Sequence, residues 1–248
     1  MINLRRISLV LVALILSRCK DNPVEPAKTE TLIPLSVGNY WLYQGYYLND
    51  DGSINFPQDR KYGFIIDDTL SQIINGHRTL NYKLFNCGED LKPYYDKPGS
   101  FEGSKLIYQN TNGLIYSGNE KYDTIKMIFN DLIIPFPAKI GRVVNGHVFY
   151  YSTLGNNSNV PEDVVTQYTC VSTDSLFSTP LGDFKCIVYK MSFADFEPQF
   201  RDEVYYFIKP GIGIVGFVEM VYHYSINKYT YFLKNILTAY KINEEKQQ

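Results

Sequence analysis

From residue 32 to residue 242 the chain runs in short apolar and aromatic stretches, each cut by Gly, Asn, Asp or Pro. Breakers spaced about 8–12 residues apart leave room for strands but not for long helices, so this chain must bury its apolar surface in antiparallel sheet. Stretches 39–48, 61–67, 79–85, 105–109, 114–117, 124–129, 143–153, 164–173, 184–193, 203–208, 214–225 and 229–242 read as strands. Between them, Asn49-Asp50-Asp51-Gly52, Asn75-Gly76 and Asn110-Thr111-Asn112-Gly113 are turn sequences. Residues 67–74 fit a short helix or a strand, and 155–161 is the most loop-like interior segment. Composition points the same way. There are 22 Tyr and 15 Phe against one Trp, and flat rings suit a half-buried pleated face. The expected fold is mostly β: an antiparallel curved sheet, a sandwich or a partly open barrel, behind an N-terminal signal helix.

The signal helix is read from Arg5 and Arg6, followed by an apolar run over residues 7–16 interrupted only at Ser8. A membrane-spanning helix needs roughly 20 apolar residues, about twice this run, so the pattern is that of a secretory signal. Residues 20–30 are polar, with Pro23 and Pro26, and read as a tether. The expected organisation is a signal peptide over 1–18, a lipidated Cys and flexible tether over 19–31, a β-rich domain over 32–243 and a polar tail over 244–248. Within the domain, Pro34-Leu35-Ser36-Val37-Gly38 and Pro137-Ala138-Lys139-Ile140-Gly141 share a Pro-x-x-(Val/Ile)-Gly frame, each ahead of a strand. This suggests two halves dividing near residue 135. Coincidence explains so short a match equally well.

Leu16-Ser17-Arg18-Cys19 resembles the lipobox of bacterial lipoproteins, with Arg18 standing where a small residue is usual. The resemblance implies lipidation at Cys19, and acyl chains at about 0.8 kcal/mol per buried CH₂ hold a domain durably to a membrane. Val37-Gly38-Asn39-Tyr40-Trp41-Leu42-Tyr43 is similar to the VGNxWxY opening of a group of bacterial envelope lipoproteins. Thr179-Pro180-Leu181-Gly182-Asp183-Phe184-Lys185-Cys186 and Lys209-Pro210-Gly211-Ile212-Gly213-Ile214-Val215 resemble two later landmarks of that group, Lys209 replacing an Ala. The resemblance implies a β-rich lipoprotein of the cell envelope, at the outer membrane rather than the inner, on its periplasmic or surface face. It implies no activity.

Catalytic motifs are sparse. Gly211-Ile212-Gly213-Ile214-Val215-Gly216 matches the dinucleotide fingerprint GxGxxG in letters, but a strand follows where that fold needs a helix N-terminus. His77, His147 and His223 lie far apart, without metal-ligand spacing. The acidic doublets Asp67-Asp68, Glu162-Asp163 and Asp202-Glu203 fall on opposite faces of any strand, which is wrong for a facing pair of carboxylates. There is no GxSxG. With 24 Lys+Arg against 26 Asp+Glu and no basic stripe, a nucleic-acid partner is not expected. Neither is a cofactor, a metal or an enzyme activity.

Three cysteines remain in the domain. Cys170 and Cys186 lie on successive strands and are the best-placed pair for a disulfide, although the intervening turn gives an imperfect register; Cys87 would stay free. The doublets Tyr46-Tyr47, Tyr94-Tyr95, Tyr150-Tyr151 and Tyr205-Tyr206 each put one ring on either face of a strand. An outward row of Tyr could bind a glycan or a protein. The leading expectation is a non-enzymatic binding or scaffolding domain held to a membrane by its lipid, with a glycan, lipid or envelope protein as partner. Two others stand beside it: a carrier of a hydrophobic ligand such as a lipid, and an envelope or polysaccharide hydrolase.

Overall fold

The computed structural model describes residues 31–93, 104–121, 124–151, 161–193, 202–223, 225 and 227–243. The signal over 1–18, Cys19, the tether up to residue 30 and the tail over 244–248 lie outside them, as does most of the loop expected at 155–161.

Among the described residues, thirteen strands form one antiparallel sheet. They run as two meanders. The first comprises β1 (Tyr40–Leu48), β2 (Ile54–Pro57), β3 (Tyr62–Ile74), β4 (His77–Cys87), β5 (Ser104–Asn110), β6 (Gly113–Lys121) and β7 (Thr124–Pro135). The second comprises β8 (Val143–Tyr151), β9 (Pro161–Thr179), β10 (Gly182–Phe193), β11 (Glu203–Lys209), β12 (Gly213–His223) and β13 (Lys228–Lys241). The order across the sheet is β7-β6-β5-β4-β3-β1-β13-β12-β11-β10-β9-β8, with β2 continuing the β3 side of β1. The chain's first and last strands therefore pair, Tyr40 opposite Lys241 through Tyr47 opposite Leu233.

The sheet curls until its two edges meet as a nearly closed barrel. At that seam β7 and β8 share no ladder, but their side chains touch. A Cβ on Gly146 of β8 would lie 3.1 Å from Cγ2 of Ile133 on β7. The Tyr189 hydroxyl, on β10, donates to the Pro135 carbonyl at the end of β7. Of the three expected architectures, the nearly closed barrel is the one found.

Local chemistry explains most elements. The β3–β4 hairpin turns at Asn75 and Gly76, both at positive φ (51° and 79°), as a two-residue turn between twisted strands requires. Residues 67–74, ambiguous in sequence, continue β3; a bulge between Ile66 and Asp68 switches the pleat and takes up the extra residue. Strand β2 was not expected. Its four residues are exposed, and it exists because Tyr46 to Leu48 offer it a pairing edge.

The apolar core lines the inside of the curl. Ring order places Trp41 and Tyr43 of β1, Ile66 of β3, Val215 and Phe217 of β12, Ile208 of β11 and Tyr189 of β10 on this inner face, all buried. The segment before β1 closes one end. Leu32, Ile33 and Leu35 are almost completely buried. Each stabilises by about 1.5–3 kcal/mol if wholly withdrawn from water. The Thr31 carbonyl accepts from the Gly211 amide in the β11–β12 turn, the Ile33 amide donates to Oε1 of Gln109 on β5, and the Gly38 amide donates to the Ile66 carbonyl on β3. These anchors sit on opposite walls, so the segment crosses the barrel end as a strap. Trp41 fastens it further by donating from Nε1 to the Ile212 carbonyl, 2.6 Å away.

Outside the barrel, the tip of the β9–β10 hairpin folds over its neighbours. Bulges between Cys186 and Tyr189 bend it. Phe177 then stacks on Phe207 with centroids 4.4 Å apart and lies over Gly216, where any Cβ would stand 2.3 Å from its ring.

A candidate binding site in the barrel interior

The pleat decides which side chains enter the lumen. On β12, Val215, Phe217 and Glu219 share the inner face, so a carboxylate sits in register with two core residues. Glu219 pairs across to Val204 on β11 and Leu233 on β13. On β5, Lys105 has the parity of Ile107, a core residue, and pairs with Leu84 of β4, itself packed on the core. Lys105 therefore points inward, and its Nζ lies 6.0 Å from the centre of the Phe64 ring.

Aromatic rings connect the walls. Tyr43 lies 5.9 Å from Phe64, 6.1 Å from Tyr62 and 5.6 Å from Phe217. Tyr62 of β3 also reaches Phe217 of β12, at 6.2 Å, and Tyr206 of β11 reaches it at 5.9 Å. Strands β3 and β12 are separated by β1 and β13, so these contacts span the lumen.

This half of the lumen is not sealed. Tyr62, Phe64, Tyr206 and Glu219 keep intermediate exposure, and Lys105 is exposed. Yet burial disfavours charge on the same groups. It holds the Lys105 ammonium below its usual range, raises the Glu219 carboxyl, with Asp202 adding a smaller push, and raises the Tyr62 and Tyr206 phenols. Strand register and shared parity with core residues place Lys105, Glu219, Tyr62 and Tyr206 on the inner face of the curl. Lys105 and Glu219 are not partners. Paired, each would be held charged; instead both shift toward neutrality.

Asn235 adds an unusual detail. It faces inward on β13 between Gly45 and Phe217, is fully buried, and neither its Nδ2 nor its Oδ1 has a hydrogen-bond partner among the described residues. Such an orphaned amide costs about 1–3 kcal/mol. Gln58 lies over Gly45 toward it: a Cβ there would stand 2.2 Å from Oε1 of Gln58 and 3.0 Å from Oδ1 of Asn235, so any side chain at this point would displace the Gln58 amide.

The residues singled out in sequence fall largely elsewhere. Cys170 and Cys186 do not form the expected disulfide. The turn register, with Gly182 opposite Thr179, puts Cys186 opposite Ser175, and even after the bulges that follow Cys170 sits opposite Tyr189, three residues from Cys186. Both remain buried thiols held to local carbonyls, of Ser172 and Phe184 respectively, and burial pushes Cys186 up to about 11. Cys87, also free and buried, is likewise pushed up to about 11. Gly211 to Gly216 form a turn and the start of β12, with no helix behind them. His77 and His223 are exposed at strand ends. Asp67 and Asp68 are exposed, and Glu203 pairs with Lys190 at 3.0 Å and accepts from Tyr205. Of the Tyr doublets, Tyr206 lines the lumen while Tyr205 faces outward; the side chains of Tyr94, Tyr95, Tyr150 and Tyr151, and those of His147, Glu162 and Asp163, lie outside the described residues. Lys105, Glu219 and Asn235 were not singled out. The available signal was parity: each is a polar residue at an alternate position occupied above or below by core side chains.

No protein-family model matches this sequence, and no curated protein resembles it. Two solved structures are similar over 86% of this chain and 99% of their own. One is a Bacteroides fragilis protein described as exported and of YmcC-like fold, 12% identical with a TM-score of 0.39. The other is a Parabacteroides distasonis protein described as a lipoprotein, 13% identical with a TM-score of 0.40.

Proposed function

We propose that this chain is an exported envelope protein, anchored through lipid on Cys19, whose barrel holds an amphipathic ligand in its lumen without transforming it. The observation that carries the reading is the chamber lining: Tyr62, Phe64, Tyr206, Lys105 and Glu219 point inward, are reached by solvent, and are desolvated by the walls around them. Small-molecule sites have this character, mostly aromatic or apolar with a few polar groups. One end of the barrel is closed by the buried strap, which suits a carrier better than a passage. A hydrolase would need two facing carboxylates or an activated nucleophile; Asp202 stands near enough to Glu219 to push its carboxyl up, and this pair is where that alternative would be tested.

The test is native mass spectrometry of the full chain carrying Cys19→Ala, purified gently from cells. A bound mass that leaves on denaturation is the expected result; a clean apo mass in every preparation overturns the reading. Lipid on Cys19 is tested separately, since Cys19→Ala abolishes incorporation of labelled fatty acid if the anchor reading holds. Location at the outer membrane belongs to the same proposal and is read by membrane fractionation.

A second reading, docking of an envelope partner, draws on the rim near the β1–β2 hairpin. Tyr47 stacks on Phe56 at 4.8 Å and on Phe232 at 5.9 Å, while Ile54, Phe56 and Phe232 stay exposed.

A further inference from the structure

We infer that the lumen is selective for an anionic amphiphile, a long-chain carboxylate, whose head group is bound by the Lys105 ammonium while its chain lies along the partly exposed rings of Phe64 and Tyr62. This rests on the reading of the lumen as a ligand chamber and adds the chemistry of what enters it.

Four observations converge on Lys105. Register with Leu84 and Ile107 points it inward. It is exposed, so a ligand can reach it. Its ammonium faces the Phe64 ring at 6.0 Å, and among the described residues no carboxylate pairs with it. The ring it faces belongs to a row of aromatics, since Phe64 contacts Tyr43 and Tyr43 contacts Tyr62. An ammonium kept among rings and away from carboxylates is an electrostatic vacancy of one negative charge, and a ring face satisfies only part of it. A ligand carboxylate supplies that charge in a charge-assisted hydrogen bond. The adjoining rings supply the apolar contact that a head group alone does not use.

On the opposite wall, Glu219 does not pair with Lys105, so among the described residues no carboxylate of the lining competes with a ligand anion for the ammonium. The orphaned Asn235 amide, on the same inner face beside Phe217, marks a second place where the lining keeps polarity that the protein does not use itself.

The probes are dodecanoate and dodecanol, which share a chain and differ in head charge. Equilibrium dialysis uses the full chain with Cys19→Ala, so that no attached acyl chain competes. The wild-type lumen is expected to bind dodecanoate about tenfold or more tighter than dodecanol. Lys105→Met removes that preference and leaves dodecanol binding in place; Lys105→Arg retains it. Equal binding of both probes by wild type, or a preference untouched by Lys105→Met, overturns the head-group assignment and leaves the chamber standing. Binding of neither probe overturns the chamber and the assignment together. Raising salt weakens dodecanoate and spares dodecanol.

Discussion

The two meanders enter the sheet through the same turn and finish at different seams. Before β1, the Gly38 amide donates to the Ile66 carbonyl, the Ile66 amide to the Asn39 carbonyl, and the Asn39 amide to the Ser36 carbonyl. Before β8, the Gly141 amide donates to the Cys170 carbonyl, the Cys170 amide to the Arg142 carbonyl, and the Arg142 amide to the Lys139 carbonyl. Gly38 and Gly141 hold φ at 85° and 80°. The short sequence frame thus encodes one piece of geometry used twice, and the strands after it repeat the same up-and-down course. The seams, however, are not equivalent. β1 and β13 are laced by a ladder along most of their length, with one bulge between Leu42 and Tyr43, while β8 and β7 share no ladder among the described residues and meet by packing, as where Ile133 lies over Gly146. Hydrogen-bonded closure distributes strength along a whole edge; closure by packing concentrates it in a few residues.

The largest effect belongs at the laced seam. Leu237→Ala removes a fully buried side chain opposite Tyr43 and should cost about 2–5 kcal/mol, read as a lower urea midpoint with an unchanged slope. An effect below 1 kcal/mol would mean that this seam is no stronger than the other. The two entry turns sharpen the comparison next. Gly38→Ala and Gly141→Ala each force a side chain into the left-handed region, for about 1–2 kcal/mol apiece. Gly38 should cost more, because its new Cβ meets Nδ2 of Asn243 at 3.1 Å while nothing crowds Gly141. Costs in the reverse order would show that the turns do different work.

At the packed seam, Tyr189→Phe deletes the hydroxyl given to Pro135 and should cost about 1 kcal/mol. Amide exchange should then quicken in β7 and β8 and stay slow in β1 and β13; uniform quickening would deny that this seam opens by itself. The smallest expected effect tests the lumen between the seams. The Glu219 carboxyl is raised above its ordinary 4.5 in the folded state, so folding takes up protons and the penalty on the charged form is complete above the folded value. Glu219→Gln should therefore stabilise at neutral pH, and its advantage should shrink as pH falls through the folded value toward 4.5 and below. An advantage independent of pH would place its origin in packing.

The strand series was legible because turn chemistry is local. Asn75-Gly76 announces its hairpin in two residues, and Pro34 to Gly38 announces an entry turn in five. Closure was not legible, since whether β13 returns to β1 depends on twist summed over the whole sheet. The thiols show the same limit. Cys170 and Cys186 lie on neighbouring strands, and the register set by their turn keeps them from facing; two bulges, invisible in the letters, narrow the offset without closing it. Lys105 and Glu219 escaped notice because a charged residue inside a strand reads by default as an outward one. Only the register with Leu84 and Val204 reverses that reading.

The strap carries a mechanical consequence. Thr31 is joined to the β11–β12 turn and Ile33 to β5, so tension along the backbone upstream of Thr31 arrives at both walls of the barrel's base at once. A pull shared in this way must break hydrogen bonds to two separate walls before the segment can peel away, so the base yields as a unit and not strand by strand.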